Sequence, residues 1–245
     1  MSQWRRLSQA WVLWPAQPRA VIEMVGGSYL AASPQLSYRR LLEHLAERDL
    51  AVHAWSYVPG FDHQAQANQA WKAMRQCRQR LEARVGSLPP SIRLGHSLGC
   101  KLHLLAPDGG RKSHSLVSLS FNNFEAEHSI PMLRQLAPRL GIRTGFSPGP
   151  EETLNLITNH YIQPRNLLIR FDNDNLDQSQ SLLNSLRARA DDVSQVRDLQ
   201  GDHLTPASVG LRRNLLGEWA DDANRARGLE ELAEIICTWS RNEVN

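Results

Sequence analysis

Short apolar segments typical of buried strands alternate along this chain with longer segments of helical spacing. The strand candidates lie at residues 21–25, 51–57, 92–94, 115–121, 167–171 and 193–199. Helical spacing appears at 38–49, at 64–84, from Leu98 onward and at 211–239, where Gly217 and Gly228 predict interruptions. This alternation predicts a mostly parallel sheet covered by helices on both faces, which is a three-layer α/β/α sandwich. Functional loops are then expected at the carboxyl ends of the strands.

We expect one domain over residues 1–245, because a chain of this length can supply a single large core. Residues 122–164 depart from the alternation, with Pro and Gly near 138–141 and 147–150. We interpret this stretch as a lid or cap inserted between two strands. Its apolar residues at helical spacing could border an acyl pocket or pack onto the main sheet; they are Leu133, Leu136, Leu140, Leu154 and Ile157.

The pentapeptide 95–99, Gly-His-Ser-Leu-Gly, stands where a strand pattern gives way to a helix pattern. A serine on such a tight turn needs neighbours without side chains, because its backbone crowds both the strand and the helix. Ser97 is therefore the candidate nucleophile. We expect His96, the residue before it, to be structural, with its side chain pointing away from Ser97. The serine would still need a base, an acid that orients the base, and N–H donors for an oxyanion.

His203 is the best placed of the nine histidines to act as the base. It lies in the loop 200–206, after the last strand candidate and before a helix pattern, at the same predicted sheet edge as Ser97. The other candidates fall within helix or strand patterns, in loops or in the predicted lid; they are His44, His53, His103, His63, His128 and His160.

The acid is expected after the strand at 167–171, where three aspartates follow closely. Its role is to accept the imidazole Nδ1–H and to stabilise the imidazolium. We favour Asp174, because a residue three positions beyond the strand has turned back towards the site. Asp177 and Asp172 are the alternatives. The aspartates that are not the acid would bond their own backbone or cap the helix that follows.

Two backbone N–H groups are needed for an oxyanion hole. Leu98, directly after the nucleophile, would supply one. The second would come from the loop after the first strand candidate, from Gly26, Gly27 or Ser28, where the two glycines allow close approach and unusual dihedral angles. The alternative is that the two glycines form only a tight turn.

Composition narrows the function classes. The three cysteines are far apart and form no Cys-x-x-Cys or Cys/His cluster, which argues against a disulfide framework or a zinc site and favours a reducing, cytoplasmic compartment. Lys and Arg exceed Asp and Glu by only +3 and form no basic block, so we expect no nucleic-acid partner. No segment reads as a signal peptide or a transmembrane helix. We expect no metal and no organic cofactor.

With Ser97, Asp174 and His203 in that order, each after a strand, the chain resembles the α/β-hydrolase superfamily over nearly its whole length. More closely, it resembles the hydrolase-like family of cyanobacteria and plastids called domain of unknown function 1350. That resemblance is carried by residues 26–28, 95–100, 120–124, 148–153 and 166–177. It implies the fold and the hydrolytic machinery, and it leaves the reaction open.

The sequence thus predicts a serine hydrolase that cleaves a small-molecule carboxylic ester or thioester through an acyl-serine. An acyltransferase using the same serine is a close variant. From a different class, the chain could be a hydrolase fold that binds a ligand or a protein without turnover. A third hypothesis is a lipase that contacts a membrane surface peripherally, which requires an exposed apolar lid.

Overall fold

The computed structural model describes residues 3–124, 145–207 and 223–241. Within these residues, eight strands form one sheet in the order β1-β2-β4-β3-β5-β6-β7-β8. They are β1 (Arg5–Leu7), β2 (Ala10–Leu13), β3 (Ala20–Val25), β4 (Leu50–Trp55), β5 (Ser91–His96), β6 (Ser115–Leu119), β7 (Asn166–Phe171) and β8 (Gln195–Leu199). The strands from β3 to β8 are parallel, whereas β1 and β2 are antiparallel to their neighbours.

Helices cover both faces of the sheet, which confirms the predicted three-layer sandwich. They are α1 (Pro34–Ser37), α2 (Arg39–Glu47), α3 (His63–Val85), α4 (Leu98–Leu104), α5 (Pro150–His160), α6 (Ser179–Arg187) and α7 (Ala223–Arg241). On one face, α2 and α7 pack with alternate residues of the central strands, such as Ile22 and Leu94. The remaining strand residues, such as Val25 and Leu168, face α3 to α6. The alternation arises because successive strand side chains point to opposite faces. No helix among the described residues is both long enough and apolar enough to cross a bilayer.

The hairpin of β1 and β2 was not expected from the sequence. Its first strand has three residues, two of them arginines, and so lacks an apolar pattern. Three strands were predicted to extend two residues too far: β4 ends at Trp55, β6 ends at Leu119 and β8 begins only at Gln195. The predicted interruption at Gly228 is wrong, because α7 continues through it; Gly217 lies outside the described residues.

The predicted lid over residues 122–164 is only partly described. Its C-terminal portion forms α5, where the Ile157 side chain is buried against Leu168 of β7 and Leu182 of α6. Leu154 is partly buried against the same cluster. This portion therefore packs onto the main body. Leu133, Leu136 and Leu140 lie outside the described residues, and the lid stays a prediction.

Four histidines of the described chain have side chains buried in this fold: His53, His63, His96 and His103. Burial lowers the pKa of each to about 3, and for all but His96 the positive charge of a nearby Arg or Lys acts in the same direction. The effect follows because an imidazolium loses its hydration when it is enclosed by apolar atoms. The folded protein thus holds these four imidazoles neutral.

We predict that the free energy of unfolding falls as the pH drops from about 6.5 towards 3. Below the ordinary histidine pKa of 6.5 the unfolded chain binds protons on these residues, while the folded chain does not until about pH 3. This contribution to stability is full above pH 6.5 and is lost on acidification, by up to about 1.4 kcal/mol per pH unit for each histidine. Urea unfolding at several pH values across this range measures the slope.

The control is His53→Phe, which keeps an aromatic ring against Trp14 and removes one titrating group. Proton uptake on unfolding should then fall by about one. A free energy of unfolding that stays constant through the same pH range would contradict the prediction.

Candidate active site

Ser97 lies on a sharp turn between β5 and α4 with φ 54° and ψ −123°. A side chain at positive φ costs on the order of 1–3 kcal/mol, so the surrounding structure must enforce it. The Ser97 N–H donates to the Leu119 carbonyl at 2.9 Å, which ties the turn to β6. A Cβ on Gly99 would collide with the Val25 carbonyl, and one on Gly95 would lie 2.6 Å from Cys100 Cα. The two glycines of the pentapeptide are therefore required by backbone contact.

His203, in the loop after β8, lies beside this serine. Its Nε2 is 3.0 Å from Ser97 Oγ, and its Nδ1 is 2.8 Å from Asp174 Oδ2. Because an ionised carboxylate only accepts, Nδ1 carries the proton and donates to Asp174. Nε2 is then left with a lone pair that accepts from the Ser97 hydroxyl. This arrangement suits transfer of the serine proton to the imidazole.

Asp174 follows β7, and its side chain is fully buried. Burial alone would raise the pKa of this carboxyl, but hydrogen bonds outweigh it and hold the pKa below its ordinary value. They come from His203 and from the Leu176 N–H at 2.9 Å. The buried Ser120 hydroxyl acts on the same carboxylate and lowers its pKa more than either of these two bonds does. Asp174 is thus kept ionised next to His203.

The other two aspartates of this loop have structural contacts. Asp177 accepts from the Ser179 hydroxyl at 2.6 Å and from the Ser179 N–H at 3.3 Å, at the start of α6. Asp172 accepts from the Gly201 N–H at 2.9 Å and so ties the loop that carries His203 to β7. Of the three predicted acids, the structure brings Asp174 into contact with the histidine.

The predicted oxyanion donors separate into two groups. The Gly27 N–H donates to Tyr38 Oη at 2.8 Å, so the prediction of Gly27 as a donor is wrong in this structure. Neither the Ser28 nor the Leu98 N–H donates to another group of the described chain. Gly27 is nonetheless needed for close approach, because a Cβ there would lie 3.1 Å from Ser97 Cβ and 3.2 Å from His96 Nδ1.

The expectation that His96 points away from the site is also wrong. Its Nδ1 is 2.8 Å from Tyr38 Oη, and its Nε2 is 2.8 Å from the carbonyl oxygen of His203. The imidazole is buried, and its ring centroid lies 5.0 Å from that of His203. The sequence could not reveal this contact, because it joins residues from three segments that are far apart along the chain.

A cavity of about 330 Å³ lies beside Ser97 and His203. Most of its lining is apolar, from Tyr29, Leu30, Phe124, Phe146, Leu176 and Leu204. Besides His96, four polar residues in the wall were not among the predicted site residues: His63, Lys101, Asn122 and Asn123. Lys101 stands one helical turn beyond Ser97, which is a spacing that could have identified it. His63 is the first residue of α3, and nothing in its sequence context indicates the cavity.

Known structures of the same fold are numerous. An esterase, Est2, of Thermogutta terrifontis with bound butyrate is 15% identical and has a TM-score of 0.64, covering 97% of this chain and 93% of its own. The fluorophosphonate-binding serine hydrolase FphF of Staphylococcus aureus is 17% identical, with a TM-score of 0.60 and coverage of 99% and 98%. A monoacylglycerol lipase of Paleococcus ferrophilus is 15% identical, with a TM-score of 0.59 and coverage of 91% and 95%. At these identities the likeness is one of fold.

No curated protein sequence matches this chain. Residues 3–226 match a family described as "Protein of unknown function (DUF1350)". This match covers most of the chain and confirms the resemblance that the sequence motifs indicated. The chain belongs to the DUF1350 family, and its fold is that of the esterases and lipases it resembles.

Proposed function

We propose that this protein is a serine hydrolase that cleaves a carboxylic ester or thioester through an acyl-serine intermediate. The observation that carries the proposal is the unbroken contact from Ser97 Oγ to His203 Nε2 and from His203 Nδ1 to Asp174. A hydroxyl, an imidazole and a buried carboxylate in this order form the arrangement that activates a serine in several unrelated folds. The strained turn under Ser97 supports the same conclusion, because strain of this kind concentrates at functional sites.

The reaction follows from the hydrogen-bond directions. Ser97 Oγ attacks the acyl carbon as its proton passes to His203 Nε2, and Asp174 stabilises the imidazolium. The bond to the leaving oxygen or sulfur then breaks, and the leaving group takes the proton from His203. A water molecule, deprotonated by His203, attacks the acyl-serine and releases the acid. Ser97 recovers its proton from His203, so the residues return to their initial state.

The negative charge on the tetrahedral oxygen needs two N–H donors. We assign them to Leu98, at the start of α4, and to Ser28, since the Gly27 N–H is engaged by Tyr38. Leu98 lies at the N-terminus of a helix, where the unpaired N–H groups favour negative charge.

The cavity indicates the substrate class. Its volume lies near the lower end of the range for small-molecule sites, and its wall is mostly apolar. A short or medium apolar acyl group fits this description. The names of the three similar structures, an esterase, a lipase and a fluorophosphonate-binding serine hydrolase, support the same reaction class.

We predict that a fluorophosphonate probe labels the protein once, on Ser97. The probe reacts with a serine only where a base removes its proton and an oxyanion hole accepts the charge. Intact-mass analysis should show a single adduct in the wild-type chain and none in Ser97→Ala or His203→Ala. Ser181→Ala, which removes an exposed serine of α6, is the matched control and should label as the wild type does.

Absence of any adduct in the folded wild-type chain would overturn the hydrolase proposal and favour a binding module without turnover. If the adduct forms, esters and thioesters of increasing chain length identify the preferred leaving group. Addition of an alcohol acceptor then separates transfer of the acyl group from its hydrolysis.

We predict that Asp174→Asn lowers kcat by on the order of 10⁴-fold, as the corresponding change does in Ser-His-Asp proteases. The amide would favour the wrong imidazole tautomer, so that Nε2 no longer accepts from Ser97. Asp177→Asn is the matched substitution three residues away and should lower kcat by less than about tenfold, because its contacts are with Ser179. Steady-state kinetics on an activated ester measures both. A larger loss in Asp177→Asn would make Asp177 the acid.

A further inference from the structure

We propose that Tyr38 and His96 are positioning residues, which hold the oxyanion loop and the His203 loop together through one chain of hydrogen bonds. The proposal rests on the proposed function and adds two residues to it. None of these hydrogen bonds joins Tyr38 or His96 to Ser97 Oγ or to the His203 ring nitrogens. The two residues act through Gly27 on one side and through the backbone of His203 on the other.

The direction of each hydrogen bond in this chain is fixed by chemistry. The His203 carbonyl can only accept, so His96 Nε2 carries the proton and donates to it. His96 Nδ1 therefore has a lone pair, and the Tyr38 hydroxyl donates to it. The Tyr38 oxygen in turn accepts from the Gly27 N–H. All three bonds measure 2.8 Å, and no other tautomer of a neutral imidazole satisfies them.

The surroundings protect this chain from water and from protonation. The Tyr38 side chain is fully buried and the His96 residue is almost so. The Tyr38 ring occupies space that only glycine leaves open, because a Cβ on Gly26 would lie 2.6 Å from Tyr38 Cε2. Burial also lowers the pKa of His96 to about 3, so the imidazole stays neutral at neutral and mildly acidic pH. The donor and the acceptor of each hydrogen bond therefore stay the same across the pH range in which a serine hydrolase works.

Both ends of this chain of hydrogen bonds contact loops that carry residues of the proposed active site. At one end, it fixes the backbone of His203, whose Nε2 must stay within hydrogen-bond reach of Ser97. At the other end, it holds the Gly27 N–H and thereby fixes the loop that carries Ser28, the residue assigned above as the second oxyanion donor. Because the transition state needs the base and the oxyanion donors together, loss of the chain should reduce kcat more than it raises KM.

The test uses three substitutions at the two positions. Tyr38→Phe keeps the ring and removes the hydroxyl. His96→Gln can place an amide N–H near the position of Nε2 and so keep the donation to His203. His96→Asn can place its amide near Nδ1 and so keep only the contact with Tyr38. With an activated ester, we expect kcat to fall about 10- to 100-fold in Tyr38→Phe and His96→Asn, with KM within about threefold and partial rescue in His96→Gln.

Tyr161→Phe is the matched control. It also removes a buried hydroxyl with a hydrogen bond, to Asn166 Oδ1 at 2.9 Å, but one that lies in the core around α5 and α6. It should lower the melting temperature about as much as Tyr38→Phe and leave kcat within about twofold. Equal kcat losses in the two tyrosine variants, or effects of Tyr38→Phe and His96→Asn that multiply in the double variant, would overturn the proposal.

A second measurement does not require turnover. The His203 Nδ1 proton, hydrogen-bonded to Asp174, gives a downfield NMR resonance that His203→Ala identifies by its disappearance. We expect Tyr38→Phe and His96→Asn to shift or broaden this resonance, and Tyr161→Phe to leave it in place. An unchanged resonance in all variants would refute positioning even if the wild-type chain hydrolysed no ester. A wild-type chain with the expected shifts but no fluorophosphonate adduct would refute the hydrolase proposal alone.

Discussion

The contact between Gly99 and the Val25 carbonyl is the constraint on which the rest of the site depends. It allows the start of α4 to press directly against the end of β3, with no side chain between the two backbones. Ser97, at positive φ, lies on the turn that leads into this contact, and a Cβ on Gly27 in the loop after β3 would lie 3.1 Å from Ser97 Cβ. A larger residue at Gly99 would separate Ser97 from the loop that carries Gly27, whatever the other residues of the site were.

Parallel strands bring the remaining parts to the same place. The β3 and β5 strands are neighbours, and the chain leaves β3 for β4 on one side before it returns to β5 on the other. Loops diverge at such a point and leave a crevice at the carboxyl edge of the sheet. Asp174 and His203 follow the adjacent strands β7 and β8, so their loops meet, and Asp172 joins them through the Gly201 N–H. One edge of one sheet thus supplies the serine, the histidine and the carboxylate.

The sequence was enough to predict those features of the site that depend on the order of residues along the chain. Ser97, Asp174 and His203 each follow a strand pattern, and parallel packing is enough to expect them at one edge. The hairpin of β1 and β2 was missed because a short strand with two arginines has no apolar period. The hydrogen bonds of Gly27, Tyr38 and His96 were missed for a different reason. They depend on the direction of single contacts between segments that are far apart along the chain, which no periodicity encodes.

His96 and His203 are the same residue type, but the groups around them favour different protonation states. Their ring centroids lie 5.0 Å apart. An imidazolium at His203 would face the Asp174 carboxylate. An imidazolium at His96 would instead face a carbonyl oxygen, a phenol and the other histidine. Only the first position stabilises the charge that appears when a serine loses its proton. A proton accepted by His96 would also need Nδ1, and it would break the bond from Tyr38 that holds the oxyanion loop. Under the proposed mechanism, the neutrality of His96 is therefore a condition for His203 to act as the base.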